Sequence, residues 1–501
     1  LATKRHVQEE GLQFPGKTYV EAVLEPAYNH AKQELLLPMI AVHKAHLIML
    51  LEQRLLSQKD ALNIAKALLS IDLEQLRLGN YNGQFEDLFF EVEHKLLKLS
   101  DDSSNNLHLA RSRNDIGIAI YRITLRQKLL RTLSSALELN ASLLTFAKKH
   151  IDTIFIAHTH TQQAQPTTIA HYIAAVSDSL ARDVRRLQAA YANCNLSSLG
   201  AAALTTSGFD INRERVAELL AFDGLIENSY DAVCGADYVA EIVASIQLAA
   251  INLGRFVQEL LLWCTQEFAV AKVASPYVQV SSIMPQKRNP VSIEHIRSLL
   301  SSIAGTSQTV LTMIHNTPFG DIVDTEDDMQ PYAWKGLDTL EVVYRLLSKV
   351  IDSLEINKDV LHRRAAASFA TVTELADTLV REEGIPFRNA HKIVSILVSQ
   401  AVEQGKGISD LSLQSLNEIA IHTIGAPLKL SREKLKLALD PKHFVNIRKL
   451  RGGPSPSEIT RALEAQQHRL HSLEQWLSER ETYLATALAQ LDAILSNWQY
   501  K

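Results

Sequence analysis

Cysteine is nearly missing from this chain, which carries only Cys194, Cys234 and Cys264. They are odd in number, none forms a CxxC pair, and none stands near a histidine at metal-ligand spacing. A disulfide framework and a zinc centre are both disfavoured. No glycine-rich phosphate cradle and no cluster of metal ligands occurs, so no cofactor is implied. A basic stripe is missing too. The formal net charge is −5 with both signs scattered along the chain, which argues against a nucleic-acid partner. The opening stretch, residues 1–21, lacks the apolar h-region of a secretory signal. Charged residues are read as interrupting every long apolar segment, so no membrane partner is expected and a reducing cytoplasm is the expected compartment.

Hydrophobic residues make up 46% and charged residues 21%, which excludes a disordered chain. With 501 residues the protein can bury a large core distributed over two or three structural units. Only 19 glycines and 14 prolines punctuate it, and alternating β-branched runs are few, so the expectation is an all-α fold. The clearest helix is expected over 239–268, where Val239, Ile242, Val243, Ile246, Ala249, Leu253, Phe256, Val257, Leu260, Cys264 and Phe268 recur at three- and four-residue steps. Similar patterns over 118–150, 167–194, 292–315 and 335–356 predict a bundle of long helices. Their apolar faces are wide for one chain, as a shared oligomeric core requires. Composition shifts at Asp101 to Asn106 and near Ala365, beyond which shorter helices are expected, broken at Gly384, Gly425 and Gly452. Three regions result: an N-terminal helical domain over 1–111, a central long-helix domain carrying the chemistry over 112–364, and a C-terminal helical domain over 365–501.

The stretch SSIMPQKRNP at 281–290 is unusual for a linker. Two adjacent hydroxyls, a lysine and an asparagine put a proton acceptor, a cation and an amide in one flexible segment. A serine-rich loop is ordinarily a solvated connection. Here the string resembles the signature loop GSSxMPxKxNP of the superfamily of fumarase, aspartase, argininosuccinate lyase and adenylosuccinate lyase. HLARSRND at 108–115 resembles the HTxRSRND element of argininosuccinate lyases, and HTHTQQAQPTT at 158–168 resembles their THxQxAQPxT element. Three such stretches in the family's order leave little room for chance. Segments at 209–233, 369–391 and 452–458 also resemble argininosuccinate lyase rather than fumarase or adenylosuccinate lyase.

The resemblance implies a homotetramer with a helical core, each site shared among three subunits, and a β-elimination. A succinyl group on nitrogen loses a proton from the carbon beside one carboxylate, the amine leaves from the neighbouring carbon, and fumarate is released. It also implies roles. Ser281 is the general base, provided that loop closure desolvates it and sets Lys287 or backbone N–H groups against its oxyanion. His160 is the proton-transfer group and Glu294 the carboxylate that pairs with it. Ser112, Arg113, Asn114, Thr159, Lys287 and Asn289 supply donors for two carboxylates and for the aci-carboxylate that develops. A histidine outside such a context is more often a structural hydrogen-bonder, which is the reading for His158. Lys272 and Lys335 have no motif around them and are read as solvated.

The sequence departs from the family at particular places. Val280 and Val291 replace the Gly and Asp that flank the signature loop, Leu109 replaces a Thr, and Phe89 replaces a His in the EDVHxxIE element. Where the family holds the amino-acid end of arginine, Tyr28 and Lys32 stand for a Ser and an Asp. Asp321, Val323, Glu326 and Met329 stand for a Tyr, a Lys, a Gln and a second Lys. The fumarate half is kept and the amine half is not. This contrast predicts the same elimination from an N-succinyl compound with an altered leaving amine, such as a diamine or a differently shaped amino acid. Argininosuccinate lyase proper is one alternative, and a non-catalytic structural protein of the lens-crystallin kind is the other.

Overall fold

Each long apolar stripe becomes one helix, and several helices begin at a cap that the sequence supplies. The computed structural model describes residues 14–498; residues 1–13 of the opening stretch, where a secretory leader was weighed, lie outside them. Helices α1 (Glu25–Glu34), α2 (Leu36–Glu52) and α3 (Leu88–Leu99) precede the central helix α4 (Arg113–Lys148). Ser112 caps α4 in a capping box with Asp115, and 36 residues make a rod of about 54 Å. A hairpin of β1 (Ile154–Thr159) and β2 (Gln162–Thr168) leads into α5 (Ile169–Cys194), capped by Thr168. Then come α6 (Asp237–Trp263), a short antiparallel pair of β3 (Gln279–Val280) and β4 (Arg288–Asn289), and α7 (Val291–Ile314). The chain continues through α8 (Gln330–Asp352), α9 (Lys358–Ala367), α10 (Val372–Glu383), α11 (Phe387–Glu403) and α12 (Leu413–Ile424). It finishes in α13 (Pro456–Trp498).

Five of these helices close a ring. α4 packs on α5, α5 on α6, α6 on α7, α7 on α8, and α8 back on α4. Their inward faces form one apolar core with the N-terminal helices. The expected helix over 239–268 stops at Trp263, because Thr265 accepts the Phe268 N–H at 3.2 Å and turns the chain. By length and composition alone α6 could cross a membrane, which corrects the reading that charges break every such segment. No charged residue lies between Glu241 and Arg255. Half of the apolar stretch is buried within the bundle, as a helix packed by several neighbours requires.

The region beyond Ala365 divides in its packing. Residues of α10, α11 and α12, with the segment to Ala438, gather a separate apolar cluster around Leu375, Leu379, Ile393 and Leu416. Gly384 and Gly425 end α10 and α12 with φ of 66° and 78°, the left-handed geometry that glycine adopts without strain. By contrast α13 returns to the central core and lies along α4, α2 and α5. At 43 residues it is far longer than the short helices expected there.

Candidate active site

The first constellation is the start of α4. The Ser112 N–H donates to Asp115 Oδ1 at 2.9 Å, and the second oxygen of Asp115 accepts the N–H groups of Gly200 and Ala202 at 2.8 and 3.0 Å. Burial pushes the Asp115 carboxyl up to about 6, against the opposing pull of these three donors and Arg111. Below it the buried Arg111 bonds His43 at 2.9 Å, and burial first, then Arg111, hold the His43 imidazole well below its usual range. Phe89, in place of a histidine, lies between the rings of His43 and His108. This packing fixes the cap residues from behind and leaves Arg113 facing outward. Arg113 is paired with Asp87 at 2.9 Å, lies 3.6 Å from Glu86 and stacks over the Phe90 ring.

Asn114 reaches across to the segment before α8. Its Nδ2 donates to Asp321 Oδ2 at 2.7 Å. Glu326 shares a hydrogen bond with Asp321. Burial first, and then Asp321, push the Glu326 carboxyl far above the ordinary carboxylate range. Tyr121 donates to Asp327, whose carboxyl is also raised, chiefly by burial. The side chains of Arg113 and Asn114 therefore face an acid-rich wall. Sequence reading missed Asp87, Tyr121 and Asp327. Tyr121 lies seven residues beyond Asn114, two turns along α4, a spacing that the helical period would have revealed.

The other expected amine contacts are differently placed. Tyr28 is buried and donates to Glu91 at 2.6 Å; Lys32 is buried, donates to the Gly79 carbonyl at 2.7 Å and lies 5.8 Å from the Tyr28 ring centre. Both are engaged within their own domain. Met329 is wholly buried in the core beneath α8, so the expectation that it touches an amine is corrected: no face of it is open.

Thr159 and His160 stand at the exposed tip of the β1–β2 hairpin. The two tip residues, His160 and Thr161, have φ of 51° and 63°, the mirror-image turn that suits the strand twist but strains any residue other than glycine. Thr161 Oγ1 ties the turn by donating to the His160 carbonyl at 2.6 Å. His158 sits lower on β1, its ring centre 6.3 Å from that of Phe155.

The signature loop is an arm held at its base by β3 and β4. Ser281 Oγ accepts the N–H of Met284 at 3.1 Å and, more weakly, that of Ile283 at 3.4 Å. The Ser281 N–H closes the loop on the Lys287 carbonyl at 3.3 Å. Ile283 is 83% exposed and Lys287 points to solvent. Asn289 lies on β4, and Glu294 is exposed in the first turn of α7. Among the described residues no hydrogen bond or ion pair joins the α4 cap, the hairpin tip and the loop. Lys272 is exposed beside Glu355 at 3.6 Å, and Lys335 is exposed on α8.

The comparisons with known proteins fit this geometry. The family model described as Lyase matches residues 75–305, and that described as Argininosuccinate lyase C-terminal matches 369–446. Argininosuccinate lyase 2 of Agrobacterium fabrum is 36% identical over 97% of this chain and 96% of its own length. Argininosuccinate lyase of Methanocaldococcus jannaschii is 37% identical over 87% of this chain and 89% of its own. Among solved structures, EDDS lyase in complex with formate superposes with a TM-score of 0.87 at 30% identity, covering 97% of this chain and 96% of that one. A class II fumarase from Schistosoma mansoni, at 17% identity and a TM-score of 0.67 over 88% of this chain and 94% of its own, shares the fold. The chain belongs to the argininosuccinate lyase family of the fumarase/aspartase superfamily and is a carbon–nitrogen lyase.

Proposed function

We propose that the protein releases fumarate by β-elimination from an N-succinyl amine, and runs the reverse addition, with a cationic amine in place of arginine. Ser281 removes the proton from the carbon beside the distal carboxylate. The N–H groups of Met284 and Ile283 already meet its oxygen, as an oxyanion requires, and Lys287 adds charge when the loop closes. Ser112, Arg113, Asn114, Thr159 and Asn289 hold the two carboxylates, and His160 with Glu294 carries the proton for the leaving nitrogen. Among the described residues no hydrogen bond or ion pair joins the α4 cap, the hairpin tip and the loop that carry these groups, and the proposal includes a homotetramer with shared sites.

The observation that carries the choice of amine is the bond from Asn114 to Asp321, with Glu326 and Asp327 beside it. Arginine's own carboxylate would meet this acidic wall with no spare cation to receive it, since Arg113 is paired with Asp87 and assigned to the succinyl carboxylates and Lys32 is bound to Gly79. An unpaired charge in a closed site costs several kcal/mol. A diamine has no such carboxylate, and its second ammonium pairs with the wall. The test follows fumarate absorbance at 240 nm on mixing fumarate with amines, and diamines are expected to consume it. A kcat/KM for argininosuccinate of about 10⁴ M⁻¹s⁻¹ or more would return the chain to that substrate. No turnover with any amine would favour the structural, crystallin-like role.

A further inference from the structure

A cleft of about 600 Å³ lies away from these constellations, where the end of α4, the base of the β1–β2 hairpin, α9 and the start of α13 meet. Lys148, Lys149, Lys358 and His362 line it together with Thr460, and Asp152 is the one acid. Among the described residues neither Lys149 nor Lys358 has an ion-pair partner. Cations at the end of α4 suit that helix's dipole and need no further reason. Lys358 has no such excuse. It is the first residue of α9, where a positive charge is disfavoured, yet it faces the same cleft as the two lysines of α4. The start of α13, through Pro456 and Thr460, borders the same space, and the Glu458 of its first turn is already paired with Arg461 and the Gly452 N–H. Behind the cleft His150 accepts from or donates to Thr153 at 3.1 Å; burial first, then Lys358 and Lys149, push its imidazole down to about 4. Lys149 and Lys358, Lys148 whose Nζ donates to Gln467 Oε1 at 3.1 Å, and a helix start thus border a space that, among the described residues, one acid lines.

We propose that this cleft binds a small dianion of the phosphate or dicarboxylate type and that its occupancy braces the hairpin carrying His160. The brace follows from position. Ile154, the first residue of β1, lines the cleft, and Ile156 packs on Ala365 of α9 and on Ala370. An anion drawing Lys358 toward Lys148 and Lys149 fastens α9 to the end of α4 with β1 between them.

The experiment titrates the full-length enzyme with inorganic phosphate and, separately, with succinate, by calorimetry at ionic strength fixed with sodium chloride. Saturable binding of phosphate or succinate is expected, and succinate, which also fits the carboxylate donors of the elimination site, is assigned to this cleft only where its binding persists in Lys287→Met. The variant Lys149→Gln with Lys358→Gln should bind at least about tenfold more weakly. Thr460→Glu, which leaves the lysines in place and adds a negative charge at the rim, should weaken binding likewise, and the double arginine variant should keep it. Equal binding by the wild type and both weakened variants, or no binding by the wild type, overturns the proposal. So does loss of binding in Lys287→Met, which would move the anion to the signature loop.

Discussion

Ser281 sits with its oxygen between two backbone N–H groups before any substrate arrives. Preorganised donors of this kind lower the cost of forming an alkoxide and leave substrate binding to other groups. Ser281→Ala should therefore lower kcat by about 10²–10⁴-fold with KM nearly unchanged. A rise in KM with little change in kcat would make Ser281 a binding residue instead. Glu326 gives a pH prediction. Its raised carboxyl holds a proton at neutral pH, and a cationic amine favours the ionised form, so kcat/KM for such a substrate should climb between pH 7 and 9. Glu326→Gln should flatten the climb. The sign for the fold is opposite: folded Glu326 binds its proton more tightly than the unfolded chain does. Its contribution to stability is thus present in acid and lost as pH rises through the folded value. Sequence alone exposed the acids at 321 and 326, because they replace residues of a family pattern. It did not expose Asp87 beneath Arg113 or Asp327 beneath Tyr121, since those pairs join segments far apart in the chain.

Among the elements, the hairpin and α13 are instructive. The string at 158–168 reads as a family motif and not as strands, yet it lies in a hairpin whose tight turn lifts His160 to the tip. Thr161 is β-branched at a positive φ, a strain of about 1–2 kcal/mol. Thr161→Gly should move the denaturant midpoint upward and lower kcat, as the turn loses its hold on His160. An unchanged midpoint would mean that the turn is unstrained. The ring of long helices was legible because each has a broad apolar stripe of helical period. α13 was overlooked although its period is regular: Leu463, Leu470, Leu477, Leu484 and Leu491 are all buried at seven-residue steps. Its stripe is narrow and its other faces are charged, so average hydrophobicity concealed it.

For the whole molecule, the bundle presents apolar surface that one chain leaves open. Ile251 on α6 and Val342 on α8 are each 51% exposed, and Leu248 stands beside Ile251 at 44%. With the three constellations unconnected in a chain, both facts point to partners of the same kind. Light scattering should give about four times the 55.8 kDa subunit mass. Subunit exchange between inactive Ser281→Ala and inactive His160→Asn proteins should restore part of the activity, because mixed assemblies contain sites free of both changes. Absence of recovery after verified exchange would mean that each site lies within one chain.

The placement of α13 also governs how the protein is made. Lys44 of α2 is bridged to Asp492 of α13 at 2.5 Å, and Leu491 and Leu495 are buried in the core that α2 shares. At roughly 5–20 residues per second, ribosomes take about 20 to 90 s to travel from one partner to the other. Through that interval α2, apolar on nearly every side, has no α13 to cover it. A chain truncated before α13 should therefore expose the apolar faces of α2 that α13 covers, and should aggregate where the full-length protein stays dispersed.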